Sequence, residues 1–170
     1  TVAAAGRVIT RLNCFMFNVH AAGGREMMRQ VVEEVEDEAK KLAVAAPLSL
    51  AVTVLTSISQ EELEEEIGVK GTKLKDLVVK WAVMAKECGI SGVVSSPQEV
   101  EAIRAACGPE FKIVTPGIRP AWSEKNDQKR ITTPSQALQM GADFMVIGRP
   151  ITQAENPVEA ALRIISELEE

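Results

Sequence analysis

Five short apolar runs rich in β-branched residues, Phe15 to Val19, Leu48 to Leu55, Gly92 to Ser95, Phe111 to Thr115 and Phe144 to Ile147, alternate along the chain with segments of helical period. Short, nearly continuous apolar runs are what strands covered on both faces require, and they differ from the in-out alternation of a half-exposed antiparallel sheet. The intervening segments are Thr1 to Leu12, Arg25 to Leu42, Leu74 to Cys88, Pro97 to Cys107, Pro134 to Met140 and Pro157 to Leu168. In the second, Met28, Val31, Val32, Val35 and Leu42 fall on one broad helical face; in the third, Leu74, Leu77, Val78, Trp81 and Ala85 do so. No short hairpin signal joins any two strands. Strands separated by helices pair in parallel, so the pattern predicts a parallel sheet layered with helices.

The helix boundaries are marked chemically. Ser96-Pro97, Thr133-Pro134 and Asn156-Pro157 each place a capping side chain before a proline at the first helical position. Gly89, Gly108 and Gly141 follow helical stretches where a left-handed cap is wanted. The acidic runs Glu33 to Glu38 and Glu61 to Glu66 read as solvated helix faces and receive no function. Two architectures fit this order: an open doubly wound sheet, or an incomplete barrel of the eightfold type. The chain has 170 residues, whereas a full barrel takes about 250. No GxGxxG or P-loop string follows the first strand, which weakens the nucleotide-binding open sheet. No linker or repeat divides the chain, so residues 1–170 are read as one domain.

Composition narrows the partners. The net charge is −5 and aromatics are 4% with no Tyr, so neither a polyanion-binding footprint nor a base-stacking platform is present, and no nucleic acid partner is expected. One histidine, His20, and three scattered cysteines, Cys14, Cys88 and Cys107, do not make a clustered zinc site, and no metal is expected. An odd number of widely spaced thiols predicts reduced cysteines and a cytoplasmic protein. The longest nearly apolar run, Leu42 to Leu55, is 14 residues, short of the roughly 20 that span a bilayer. No membrane partner and no secretory signal are read. Met27, Met28, Met140 and Met145 are assigned to core filling.

In either parallel architecture the chemistry gathers at the carboxyl ends of the strands. Two of those ends carry arginine: Thr115-Pro116-Gly117-Ile118-Arg119-Pro120 and Gly148-Arg149-Pro150. A glycine lets the backbone approach a phosphate closely, and an arginine adds a bidentate charge-assisted grip. The polar stretch Pro120 to Arg130 is long for a strand-to-helix loop. It reads either as a lid offering a donor such as Gln128 or as a solvated loop. His20 ends the first strand, where it would serve the site or satisfy a polar position beneath the helix after Gly24; the second reading is preferred.

The strings Asn18-Val19-His20-Ala21-Ala22-Gly23-Gly24, Ala51-Val52-Thr53-Val54-Leu55-Thr56-Ser57, Gly92-Val93-Val94-Ser95-Ser96, Val114-Thr115-Pro116-Gly117-Ile118-Arg119-Pro120, Asp127-Gln128-Lys129-Arg130 and Val146-Ile147-Gly148-Arg149-Pro150 together resemble the bacterial orotidine 5'-phosphate decarboxylase family. The resemblance runs the length of the chain. It implies a (β/α)8 TIM barrel, here incomplete, with about five parallel strands and six helices and with the family's N-terminal three strands missing. It also implies a cofactor-free lyase that converts orotidine 5'-monophosphate to UMP and carbon dioxide in pyrimidine biosynthesis, acting as a homodimer.

By motif, the resemblance makes Gly148, Arg149 and Gln128 phosphate-binding residues and makes Arg119 and Thr56 further substrate contacts. Thr1 matches the threonine ending the family's Asp-x-Lys-x-x-Asp-Ile-Pro-Asn-Thr segment, which reaches into the neighbouring subunit's site. The lysine and aspartates of that segment carry the family's catalysis and would lie before Thr1, so no catalytic residue is assigned in this chain. Asp127-Gln128-Lys129 imitates the start of that motif, but Thr132 stands where its second aspartate should be. The expectation is a chain that carries the phosphate- and pyrimidine-contacting part and is inactive alone. The alternatives are a related phosphate-binding barrel acting on a ketose phosphate, and a non-catalytic phosphate-binding fragment.

Overall fold

The computed structural model describes residues 1–123 and 132–169. Its strands are β1 (Met16–His20), β2 (Leu48–Val52), β3 (Gly92–Val94), β4 (Lys112–Pro116) and β5 (Phe144–Val146). Its helices are α1 (Val2–Arg11), α2 (Gly24–Leu42), α3 (Gln60–Glu65), α4 (Leu74–Glu87), α5 (Val100–Cys107), α6 (Pro134–Gln139), α7 (Arg149–Thr152) and α8 (Pro157–Glu169). The six expected helices are present, and two short ones, α3 and α7, join them. Six and four residues are too few to display a helical period; α3 is held by a capping box in which Ser59 and Glu62 satisfy each other's backbone N–H.

The three predicted starts are capped as read: Ser96 accepts from the N–H of Gln98, Thr133 from that of Gln136, and Asn156 from that of Glu159. Gly89, Gly108 and Gly141 all adopt positive φ at the ends of their helices.

All four strand pairings are parallel and the order is β1-β2-β3-β4-β5. Each strand is thus laid on the same side of its predecessor. With right-handed crossovers, a constant direction of travel puts every connecting helix on one face, whereas a doubly wound sheet reverses direction midway. The packing agrees. Val19, Ala51, Val93 and Ile113 form one row across β1 to β4 and share a core with Met28, Val31 and Val35 of α2, Val78 and Ala82 of α4, and Ile103 of α5. A smaller cluster of Ile118, Ala137, Ala142, Met145 and Ile147 continues that layer beneath α6.

The other face of the sheet carries the row His20, Val52, Val94, Val114 and Phe144. The sheet curls about this face: the ring of Phe15, just before β1, meets that of Phe144 in β5 edge to face at 5.8 Å, although these strands lie at opposite edges. The architecture is the curved parallel sheet of a TIM barrel with β1 and β5 as open edges.

Close contacts hold the curl. A Cβ on Gly92 would lie 2.2 Å from the backbone oxygen of Lys112, so β3 and β4 approach there as only glycine permits. At the amino end of the strands the guanidinium of Arg104 donates to the carbonyls of Gly108, Pro109, Phe111 and Gly141 and to Asp143, tying α5 to the starts of β4 and β5. Asp143 also accepts the N–H of Ile113. Burial pushes its carboxyl up, but the Arg104 hydrogen bond, the Ile113 N–H and the charges of Arg104 and Lys112 outweigh that and hold it below the usual range. Apolar side chains remain exposed at both ends of the chain: Val8 on α1 and Leu12 at its C-cap, and Val158, Leu162 and Ile165 on α8.

Candidate active site

A cleft of about 380 Å³ opens at the carboxyl end of the sheet, on the face away from the helices. Its walls are Asn18 and His20 of β1, Val52 of β2 with Val54, Leu55, Thr56 and Ser57 beyond it, Val94 of β3 with Ser95, and Pro116 of β4. Period two in the strands selects these side chains. In β1, Phe17 and Val19 turn into the helix-side core, which leaves Asn18 and His20 on the concave face. The lining is mainly apolar with a few polar groups, the usual make-up of a small-molecule site.

One polar group there is conspicuous energetically. Ser95 is 1% exposed and, among the described residues, its Oγ has no hydrogen-bond partner. A buried hydroxyl left unpaired costs about 1–3 kcal/mol, so a ligand or water that reached it would recover that cost.

The sequence-predicted residues divide into three groups. Thr56 lines the cleft and is exposed to it. Arg119, Gly148 and Arg149 follow β4 and β5 at the same end of the sheet and are not among the cleft residues. Arg119 is 4% exposed, its N–H donates to the carbonyl of Thr132, and Ile118 bridges Thr132 in parallel, which closes the base of the segment that follows β4. Gly148 precedes the single-turn helix α7 and Arg149 is its first residue. Among the described residues, a Cβ at Gly148 would meet no atom within 4 Å, so none of them fills the space over this backbone. Thr1 is exposed at the start of α1 and is not among the cleft residues. Gln128 lies outside the described residues, as does the Asp127 to Lys129 imitation of the catalytic motif.

His20 departs from the preferred reading. It is exposed and lines the cleft, whereas the buried face of α2, with Met28 and Val31, packs in one core with Val19, Ala21 and Ala51. Asn18 and Ser95 were not singled out from sequence as site residues. Alternation along each strand contained the signal, but the choice of concave face depends on the curl. Among the described residues no cluster of three or more His, Cys, Asp or Glu side chains could hold a metal ion, and no helix is long and apolar enough to cross a membrane.

Known proteins resemble this chain in sequence and in fold. The family model for orotidine 5'-phosphate decarboxylase / HUMPS matches residues 1–164. The chain is 94% identical over 170 residues to the orotidine 5'-phosphate decarboxylase of Syntrophomonas wolfei subsp. wolfei, covering all of this chain and 71% of that protein. It is 52% identical over 169 residues to that of Moorella thermoacetica, covering 99% and 67%. The crystal structure of orotidine 5'-phosphate decarboxylase from Lactobacillus acidophilus superposes with a TM-score of 0.85 at 34% identity, over 99% of this chain and 70% of that one. The fold is shared as well with the enzyme from Pyrococcus horikoshii OT3, at a TM-score of 0.66 and 22% identity. The chain therefore spans about 70% of the length of these relatives. With its sequential parallel strands, its arginine-bearing loops after β4 and β5, and a match over nearly its whole length, the chain belongs to the orotidine 5'-phosphate decarboxylase / HUMPS family.

Proposed function

We propose that the cleft holds a pyrimidine nucleotide, orotidine 5'-monophosphate or UMP, with its phosphate on the loops after β4 and β5 and its nucleobase end over Thr56 and the carboxyl ends of β1 to β3. The observation that carries this is the placement of Arg119, Gly148 and Arg149 at one end of a curved sheet whose neighbouring strand ends enclose an apolar cleft. Arginine forks and open backbone suit a phosphate dianion, and apolar walls suit a planar base. Gln128 is proposed as a further phosphate donor.

Chemistry is a separate matter from binding. None of the described cleft residues is a lysine or a carboxylate, so the lining lacks the ammonium and carboxylate groups with which the family's motif protonates a carbanion and presses on a substrate carboxylate. We therefore propose that this chain binds the nucleotide and does not decarboxylate it by itself. Decarboxylation would require the Asp-x-Lys-x-x-Asp segment, in a homodimer to which Thr1 contributes across the interface. Cytoplasmic residence is part of the same proposal and accords with Cys14, Cys88 and Cys107 all being free thiols.

Calorimetric titration with UMP tests the reading. Arg149→Ala removes a charge-assisted contact worth about 1.5–3 kcal/mol, so UMP affinity is expected to fall by about 10- to 100-fold. Equal affinity in the variant would overturn the phosphate placement, and turnover of orotidine 5'-monophosphate by the purified 170-residue chain would overturn the separation of binding from catalysis. The ketose-phosphate alternative draws no support from the comparisons.

A further inference from the structure

We propose that α8 is a strut for the loop that carries Arg119, with Arg163 a positioning residue that acts through Trp122, an inference that rests on the nucleotide reading above. None of the cleft residues belongs to α8, and neither Arg163 nor Trp122 is marked by the family resemblance.

The guanidinium carbon of Arg163 lies 4.6 Å from the centroid of the Trp122 ring, within the range at which an indole face attracts a cation. The ring is seated by that face. Its Nε1 is buried and, among the described residues, has no hydrogen-bond partner, although a buried Trp N–H usually finds one. Trp122 is in turn fixed to Arg119. Pro120 is fully buried, and its carbonyl accepts from both the N–H and the Oγ of Ser123, at 3.0 Å each, which closes a tight turn over residues 120–123.

The same helix holds the chain on the other side of that loop. The N–H of Arg119 donates to the carbonyl of Thr132 at 3.0 Å, Thr133 caps α6, and Ser135 of α6 donates its Oγ to the carbonyl of Glu167 at 2.8 Å. Arg163 and Glu167 stand four positions apart and so share one side of α8. The contacts run in a ring from Arg163 through Trp122, Arg119, Thr132 and Ser135 back to Glu167. The short helix α7, which begins at Arg149, packs on α8 as well. Both arginines of the phosphate placement are thereby tied to one helix. Arg119 is 4% exposed, which leaves its side chain little room to correct for a displaced backbone, and a bidentate grip depends on geometry.

The experiment compares the native 170-residue protein with Arg163→Ala, Arg163→Met and Arg163→Lys. The side chain of Arg163 is exposed, and α8 keeps its buried Ala160 and Ile164 in every variant, so Tm is expected to stay close to the native value. The chain has two tryptophans, Trp81 and Trp122; their indole N–H signals are told apart by NMR of Trp81→Phe. Arg163→Ala and Arg163→Met should move the Trp122 signal and leave that of Trp81 in place. In calorimetry both should weaken UMP binding about two- to fivefold, the worth of an exposed cation–π contact, with uridine affinity unchanged. Arg163→Lys, which keeps a cation, should restore most of the loss. In an Arg119→Ala background, Arg163→Ala should cost nothing further, because its effect passes through Arg119.

A Trp122 signal indifferent to Arg163→Ala and Arg163→Met would overturn the strut and leave the nucleotide reading standing. So would UMP affinity unchanged in both variants, an equal loss for UMP and uridine, or a full additional loss in the Arg119→Ala background. Absence of UMP binding by the native protein, or UMP affinity that ignores Arg119→Ala, would overturn the phosphate placement and the strut together.

Discussion

Arg104 is the strongest test of how the curled sheet is held at its amino end. Its Nη1 lies 2.7 Å from the carbonyl of Phe111, 2.8 Å from that of Pro109 and 3.1 Å from that of Gly108; its Nη2 lies 2.8 Å from the carbonyl of Gly141 and 2.7 Å from Asp143. Two nitrogens carry four hydrogens, so about four of these bonds form at once, with the longest contact shared. Each neutral acceptor is worth about 1 kcal/mol net and the carboxylate about 1.5–3 kcal/mol. The side chain is 25% exposed, so water replaces part of what Arg104→Leu removes.

The expected loss for Arg104→Leu is about 3 kcal/mol, a large share of the 5–15 kcal/mol typical of a domain. In urea, with a slope near 2 kcal/mol/M for a chain of this size, the midpoint should drop by about 1.5 M with the slope unchanged. A drop below about 0.5 M would refute the view that this guanidinium ties α5, β4 and β5 together. In a double-mutant cycle, Arg104→Leu and Asp143→Asn should couple by about 1–2 kcal/mol, since one removes the other's partner.

Asp143 has an acid-side consequence. Its carboxyl is held below its ordinary value when folded, so its contribution to stability is complete above the unfolded pKa of about 3.9 and is lost as pH falls through the lower, folded value. Urea midpoints measured from about pH 5 down to about pH 2 should fall less steeply in Asp143→Asn than in the native protein; an identical slope would count against the linkage. Gly92→Ala drives a Cβ against the backbone of Lys112, and because backbone cannot swing aside, the cost is expected at about 3 kcal/mol, read as a fall in Tm; an unchanged Tm would mean that β3 and β4 separate easily. Among the thiols, Cys14 is exposed whereas Cys88 and Cys107 are buried, and burial raises the Cys107 thiol, with Lys86 and Arg104 only partly opposing it. A thiol reagent at neutral pH should label one cysteine rapidly in the folded protein and three after unfolding.

The elements themselves were largely legible in the chain, because what specifies them is local. Apolar period, the proline-flanked caps at Ser96, Thr133 and Asn156, and the glycines at 89, 108 and 141 act over a few residues, and each falls where it was expected. The short helices α3 and α7 were missed for the converse reason: one or two turns show no period, and the cue for α3 is a capping box rather than an apolar stripe. The phosphate-type residues Arg119, Gly148 and Arg149 were readable because a glycine and arginines at successive strand ends have a chemical meaning before any packing is known. His20 was misread because burial is a tertiary property, and a histidine at a strand end has no local mark that tells it which face of the sheet it will take.

What the amino-acid order alone determined is therefore the succession of strands and helices, the parallel pairing that this succession forces, and the set of residues able to grip an anion. Tertiary structure decided the rest. The order β1 to β5 without reversal, and the curl that brings Phe15 to Phe144, select the barrel over the open doubly wound sheet. The same curl makes one sheet face concave and turns Asn18, His20, Thr56 and Ser95 toward a common space. Those residues lie up to 77 positions apart, from 18 to 95, and their convergence depends on strand registers and a backbone contact at Gly92. Such non-local terms are set by packing and leave no trace in any one short window of sequence.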